Sequence, residues 1–125
     1  MLRITNADLR DRILDAVGDP DSLRILSVIK TSPKSAPVIA SEIGVPLSSV
    51  YRKLAVLRRA GLAFVRSFDI TPEGKRQDNF ISAVKELRIG TSGEEVEVEL
   101  IPTEETARRI WFDMFNSGSS GGQEV

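Results

Sequence analysis

The side chains best equipped to hold a ligand stand together at Ser48, Ser49, Tyr51, Arg52 and Lys53, three hydroxyls followed by a guanidinium and an ammonium. All donate hydrogen bonds and two carry fixed positive charge, which suits the binding of anionic oxygens. Arg66, Lys75 and Arg76 form a second, looser basic group. Glu95, Glu97 and Glu99 alternate with Val96, Val98 and Leu100. Strand residues two apart project about 7 Å apart, too far to share one cation, and no Asp/Asn/Gly loop of the calcium type is present, so the acids read as a solvated face. The chain has no cysteine and no histidine. That removes thiol nucleophiles, Ser-His-Asp triads, imidazole bases and zinc sites built on Cys or His. Scattered acids without a positioned partner do not make a hydrolase pair. No catalytic residue, metal ligand or cofactor is expected, and the chain reads as a binder and not as an enzyme.

The 125 residues, 41% apolar, suffice for one core. The net charge of -1 hides a division along the chain. Residues 1–45 hold six basic and six acidic groups, residues 46–89 nine and four, and residues 90–125 two and eight. Positive charge therefore gathers around the ligand-capable cluster, and negative charge collects in the last third. Met1 to Asn6 show no apolar signal-peptide core, and no stretch approaches the roughly 18 apolar residues of a membrane span, so a cytoplasmic location is expected. Residues 117–125, SGSSGGQEV, have the composition of a disordered tail.

The elements that must position the cluster are legible in periodicity and punctuation. Thr5 with Asp8 resembles a capping box, and Leu9, Ile13, Ala16 and Val17 follow at helical spacing until Gly18, giving a helix over about 6–17. Asp19-Pro20 opens a second, strongly apolar helix that ends near Lys30. Ser35 begins a short third helix closed by Gly44. Val50, Leu54 and Leu57 lie on one stripe of a fourth helix, whose other faces carry the hydroxyl and basic residues and which exits at Gly61. A short turn joining two such helices is helix-turn-helix grammar. Residues 63–69 then read as a strand, 71–76 as a turn-rich tip, 79–89 as a returning strand and 95–100 as a half-buried antiparallel strand. Pro102 and Thr103 open a last helix with Ala107, Ile110, Trp111 and Met114 on its apolar stripe.

The segment Ser48-Ser49-Val50-Tyr51-Arg52-Lys53-Leu54-Ala55-Val56-Leu57-Arg58-Arg59-Ala60-Gly61-Leu62 strongly resembles the recognition helix of ArsR-like winged-helix transcription regulators, which run as Ser-Thr-Val-x-x-x-Leu-x-x-Leu-x-x-Ala-Gly-Leu-Val. Residues 45–54 look closest to uncharacterised archaeal members, and the resemblance spans about residues 19–89. Many members place Ser where this chain has Pro46, and the metal-sensing members use cysteines and histidines that this chain lacks, which excludes soft-metal sensing.

The resemblance implies an α+β fold: a winged helix-turn-helix with a three-helix core and antiparallel β-wing, extended by an added C-terminal strand, over residues 1–101, then an amphipathic helix for packing or dimerisation at 102–116. It implies a DNA-binding transcription regulator that reads duplex DNA with the helix at about 47–60 and touches backbone with the wing at about 63–89. Ser48, Ser49, Tyr51, Arg52 and Lys53 fall on the DNA face. Arg52 suits a guanine edge, and Lys53, the hydroxyls, Arg66, Lys75 and Arg76 suit phosphates. Arg58 and Arg59 rank lower, because cations favour a helix C-terminus in any protein. Regulators of this type pair to read two half-sites, which assigns Leu9, Ile13, Ile110, Trp111 and Met114 to a homodimer contact. The competing reading is a winged-helix protein-interaction module of a transcription or replication assembly.

Overall fold

The computed structural model describes residues 1–117, with side chains as far as Ile110. The described chain divides into two compact units, one of residues 12–82 and the other of residues 1–11 with those from Ala83 onward. The expected boundary at residues 101 and 102 lies inside the second of these.

The unit of residues 12–82 holds most of α1 (Ala7–Val17), then α2 (Pro20–Val28), a two-residue strand β2 (Lys34–Ser35), α3 (Ala36–Ile43), α4 (Leu47–Arg59), β3 (Ala63–Ile70) and β4 (Arg76–Ser82). β2, β4 and β3 form an antiparallel sheet in that order. Its core is Ile13, Ile25, Ile29, Ile39, Val50, Leu54, Leu57 and Leu62, all essentially without exposure. Local chemistry ends the helices where the sequence says. Asp19 caps α2 ahead of Pro20. Gly44 (φ 70°) closes α3 and Gly61 (φ 73°) turns the chain out of α4, both in the left-handed region that favours glycine. At α1 the cap is Asn6, whose Oδ1 accepts from the Leu9 amide at 2.9 Å, and not Thr5. The expected dimer-contact residue Ile13 is corrected here: it is fully buried inside this chain, so it has no surface to offer a second copy.

The other unit pairs β1 (Leu2–Arg3), β6 (Glu95–Pro102) and β5 (Val84–Ser92) into a second antiparallel sheet, followed by α5 (Glu104–Ser117). The alternation of β6 works as expected, with Val98 and Leu100 buried. Glu97 lies 3.7 Å from Arg3. Thr103 caps α5 by accepting from the Thr106 amide. The run read as one returning strand over 79–89 is in fact two strands, broken at Ala83. There the Ser82 amide donates to the Ile29 carbonyl, while the Ala83 carbonyl accepts from Thr103, so the chain leaves one ladder and joins the other. Trp111 and Met114 lie outside the residues whose side chains are described, as do residues 118–125 of the Gly/Ser tail.

Candidate nucleic-acid interface

α4 carries Arg52, Lys53, Arg58 and Arg59 and no acidic residue. One side of it is committed to the core through Val50, Leu54 and Leu57, each buried side chain contributing about 2 kcal/mol. The opposite side leaves Ser48, Tyr51, Arg52, Ala55, Arg58 and Arg59 exposed, with Tyr51 half-exposed at 50%. Ser48, Arg52, Ala55 and Arg59 follow one another at spacings of four, three and four, which places them on a single stripe. Among the described residues Arg52 donates only a long 3.4 Å hydrogen bond, to the Ser49 hydroxyl, and the residue is exposed.

Two polar ties from α2 hold the helix-turn-helix. Arg24, braced by Asp21 at 2.9 Å, donates to the Ile43 carbonyl at the end of α3 and so satisfies a terminal acceptor beside the turn. Lys53 forms an ion pair with Asp19, the cap of α2. That carboxylate also accepts from the Asp21 amide and the Ser22 hydroxyl, each at 3.1 Å. The Lys53 ammonium holds the Asp19 carboxyl below its ordinary pKa, helped by those two donors and opposed by desolvation. Lys53 thus differs from its neighbours: its side chain is only 20% exposed and its charge is engaged within the protein.

The β3–β4 hairpin is the wing. Its tip, residues 71–75, turns through Gly74, and the Lys75 amide donates to the Thr71 hydroxyl at 3.1 Å. Pairing slips between Val65 and Ser67, making Arg66 the extra residue of a bulge, which re-aims its side chain. Arg76 bonds Asp78 at 2.7 Å and lies 4.2 Å from the centroid of the Phe68 ring. Phe68 and Ile70 are exposed on that face, whereas on the other Asn79 donates to Ser67 and Asp69.

The structure therefore leaves Ser48, Tyr51 and Arg52 exposed on α4 with Ser49 half-buried beside them, places Lys75 at the wing tip, and engages Lys53 and Arg76 with carboxylates. Sequence reasoning passed over Arg24, whose role depends on a carbonyl 19 positions away. It also gave no place to Ala55, which lines one hollow with Arg58, Arg59, Ala63 and Phe64. The sequence signal for that hollow was a small residue between Arg52 and Arg59 on the same stripe. Among the described residues no group of three or more acids is gathered as a metal ion would require.

A model described as a Helix-turn-helix domain matches residues 17–66, from the end of α1 into β3. No curated protein matches the chain. Among solved structures, HlyU from Vibrio cholerae is 18% identical, with 90% of this chain and 97% of that chain covered and a TM-score of 0.43. NolR from Sinorhizobium fredii is 13% identical, with 91% and 89% covered and a TM-score of 0.43. A homodimeric winged helix-turn-helix DNA-binding domain from Mycobacterium bovis, described as a possible ArsR-family transcriptional regulator, is 16% identical, with 92% and 88% covered and a TM-score of 0.44.

Proposed function

We propose that this chain, whose residues 17–66 form a helix-turn-helix domain, is a DNA-binding transcription regulator of the ArsR-like winged-helix kind, with the archaeal likeness of residues 45–54 as part of that reading. The observation that carries it is α4: an acid-free helix, tied to the α2 cap by Lys53 and following an α3 whose end is bonded to α2 by Arg24, that turns hydroxyls, Tyr51 and Arg52 outward. Arg52 offers a fork that matches the O6 and N7 acceptors of guanine in the major groove. Ser48, Ser49 and Tyr51 donate to flanking phosphates, and the wing adds Lys75 and Arg66 along the backbone. Lys53 serves this surface by positioning the helix.

The regulator acts in the cytoplasm as a homodimer, because a two-fold pair presents two copies of α4 to two half-sites one helical turn apart. Leu9 and Ile110, both half-buried, are assigned to that contact with Trp111 and Met114.

Selection of duplexes from a random library, followed by anisotropy on the selected site, tests the reading. Arg52→Ala is expected to cost about 1–3 kcal/mol on the preferred site and to relax the preference at one base pair. A chain that selects no duplex at low salt would overturn it in favour of the protein-interaction module.

A further inference from the structure

We infer that Arg58 and Arg59, at the C-terminal end of α4, form a clamp for the DNA phosphate backbone in the concavity between that helix and the root of the wing. The inference rests on the reading of the chain as a DNA-binding protein. It goes beyond that reading by moving the main electrostatic anchor to residues whose position at a helix C-terminus otherwise explains them.

The concavity measures about 520 Å³ and is lined by Ala55, Arg58, Arg59, Ala63 and Phe64. None of these is acidic. Ala55 and Arg59 continue the stripe that begins with Ser48 and Arg52, so the hollow extends the outward face of α4 without interruption. Position 55 contributes only a methyl group to its lining, where the rest of the stripe carries long or polar side chains.

Neither guanidinium is neutralised by an ion pair among the described residues, and that of Arg58 is also placed. The Arg58 guanidinium sits 5.9 Å from the centroid of the Phe80 ring, and that ring is itself buried at 5% exposure, so it is a fixed platform. A ring face orients a guanidinium while leaving its N–H groups to an anion, which a carboxylate partner would not do. Arg59 also borders a smaller hollow of about 250 Å³ with Arg12, Asp15 and Val56, where Arg12 offsets the one acid. Neither Arg58 nor Arg59 forms an ion pair among the described residues. The wing is different. Residues 63–82 hold three basic and three acidic side chains, and Arg76 is already bonded to Asp78. Unpaired positive charge is therefore densest at the end of α4 and not at the hairpin.

The test is the salt dependence of binding by the full chain to its selected duplex and to an unrelated duplex of equal length. Each phosphate neutralised adds about 0.9 to the magnitude of the slope of log K against log salt. Arg58→Gln with Arg59→Gln is expected to lower that magnitude by about 1.8 and to weaken both duplexes alike. Arg58→Lys with Arg59→Lys is expected to retain it, since lysine also holds phosphate as a point charge. Lys85→Gln, at an exposed residue of β5 that lines neither hollow, is the control for loss of charge alone. An unchanged slope in the double Gln variant, or an equal fall in the Lys85→Gln control, overturns the clamp while leaving the regulator reading intact. Absence of duplex binding by the unaltered chain overturns that reading instead. Inorganic phosphate titrated at constant ionic strength is expected to leave DNA affinity unchanged. Saturable competition by it would assign the hollow to a small free anion and overturn the clamp as well.

Discussion

Replacing Asp19 separates the forces that hold the recognition surface in place. The Asp19 carboxylate accepts from the Asp21 amide and the Ser22 hydroxyl at 3.1 Å and pairs with the Lys53 ammonium, so one side chain caps α2 and tethers α4. Loss of an N-cap costs about 1 kcal/mol. The ion pair, with side chains 33% and 20% exposed, adds about 0.5–1 kcal/mol after solvent screening. Asp19→Ala is therefore expected to destabilise by about 1.5–2 kcal/mol. Asp19→Asn keeps a competent cap and loses only the pair, at about 0.5–1 kcal/mol. Urea denaturation should show the two midpoints falling in that order with an unchanged slope. Combining Asp19→Asn with Lys53→Met closes a double-mutant cycle, in which the pair appears as a coupling of about 0.5–1 kcal/mol. Strict additivity, or equal costs for the Ala and Asn variants, would refute the assignment of separate capping and tethering roles.

Acid sensitivity follows from the same contact. The folded-state pKa of Asp19 lies below its value in the unfolded chain, so its contribution is complete above about pH 3.9 and is lost as the pH falls through the folded value. Asp19→Asn should flatten that part of the acid-denaturation profile, and an unaltered profile would contradict the pairing with Lys53. Lys53→Met is expected to weaken DNA binding without changing the salt slope, whereas a direct phosphate contact would lower the slope by about 0.9, which anisotropy at several salt concentrations resolves. Gly61→Ala meets no atom within 4 Å but must hold φ near +73°, so a cost of about 1–2 kcal/mol arises from backbone conformation alone and is read by thermal denaturation. Light scattering at high micromolar concentration is expected to report a dimer, and a monomer there would remove the homodimer from the proposal.

Features settled within one or two turns of chain were legible from residue types alone. Asp19-Pro20 starts α2 because the cap and the fixed proline φ are local properties, and Gly44 and Gly61 end their helices because a left-handed residue is needed where the glycine stands. The stripe of Val50, Leu54 and Leu57 and the alternation of Val96, Val98 and Leu100 follow from the periods of helix and strand, and so the outward face of α4 could be named before any coordinate was known.

Sequence by itself thus determined which helix turns a basic, hydroxyl-rich face to solvent and which chemistry the chain lacks, since missing histidine and cysteine cannot be replaced by folding. Tertiary structure alone decided which of those cations remain available. Lys53 meets a carboxylate 34 positions earlier. Ile13 disappears into the core, Arg66 is turned by a bulge, and the strand after Phe80 breaks at Ala83 to enter a second sheet. Arg58 finds an aromatic ring 22 positions away instead of an acid. Such pairings depend on how the chain closes on itself over tens of residues, and neither periodicity nor capping records who will be met there.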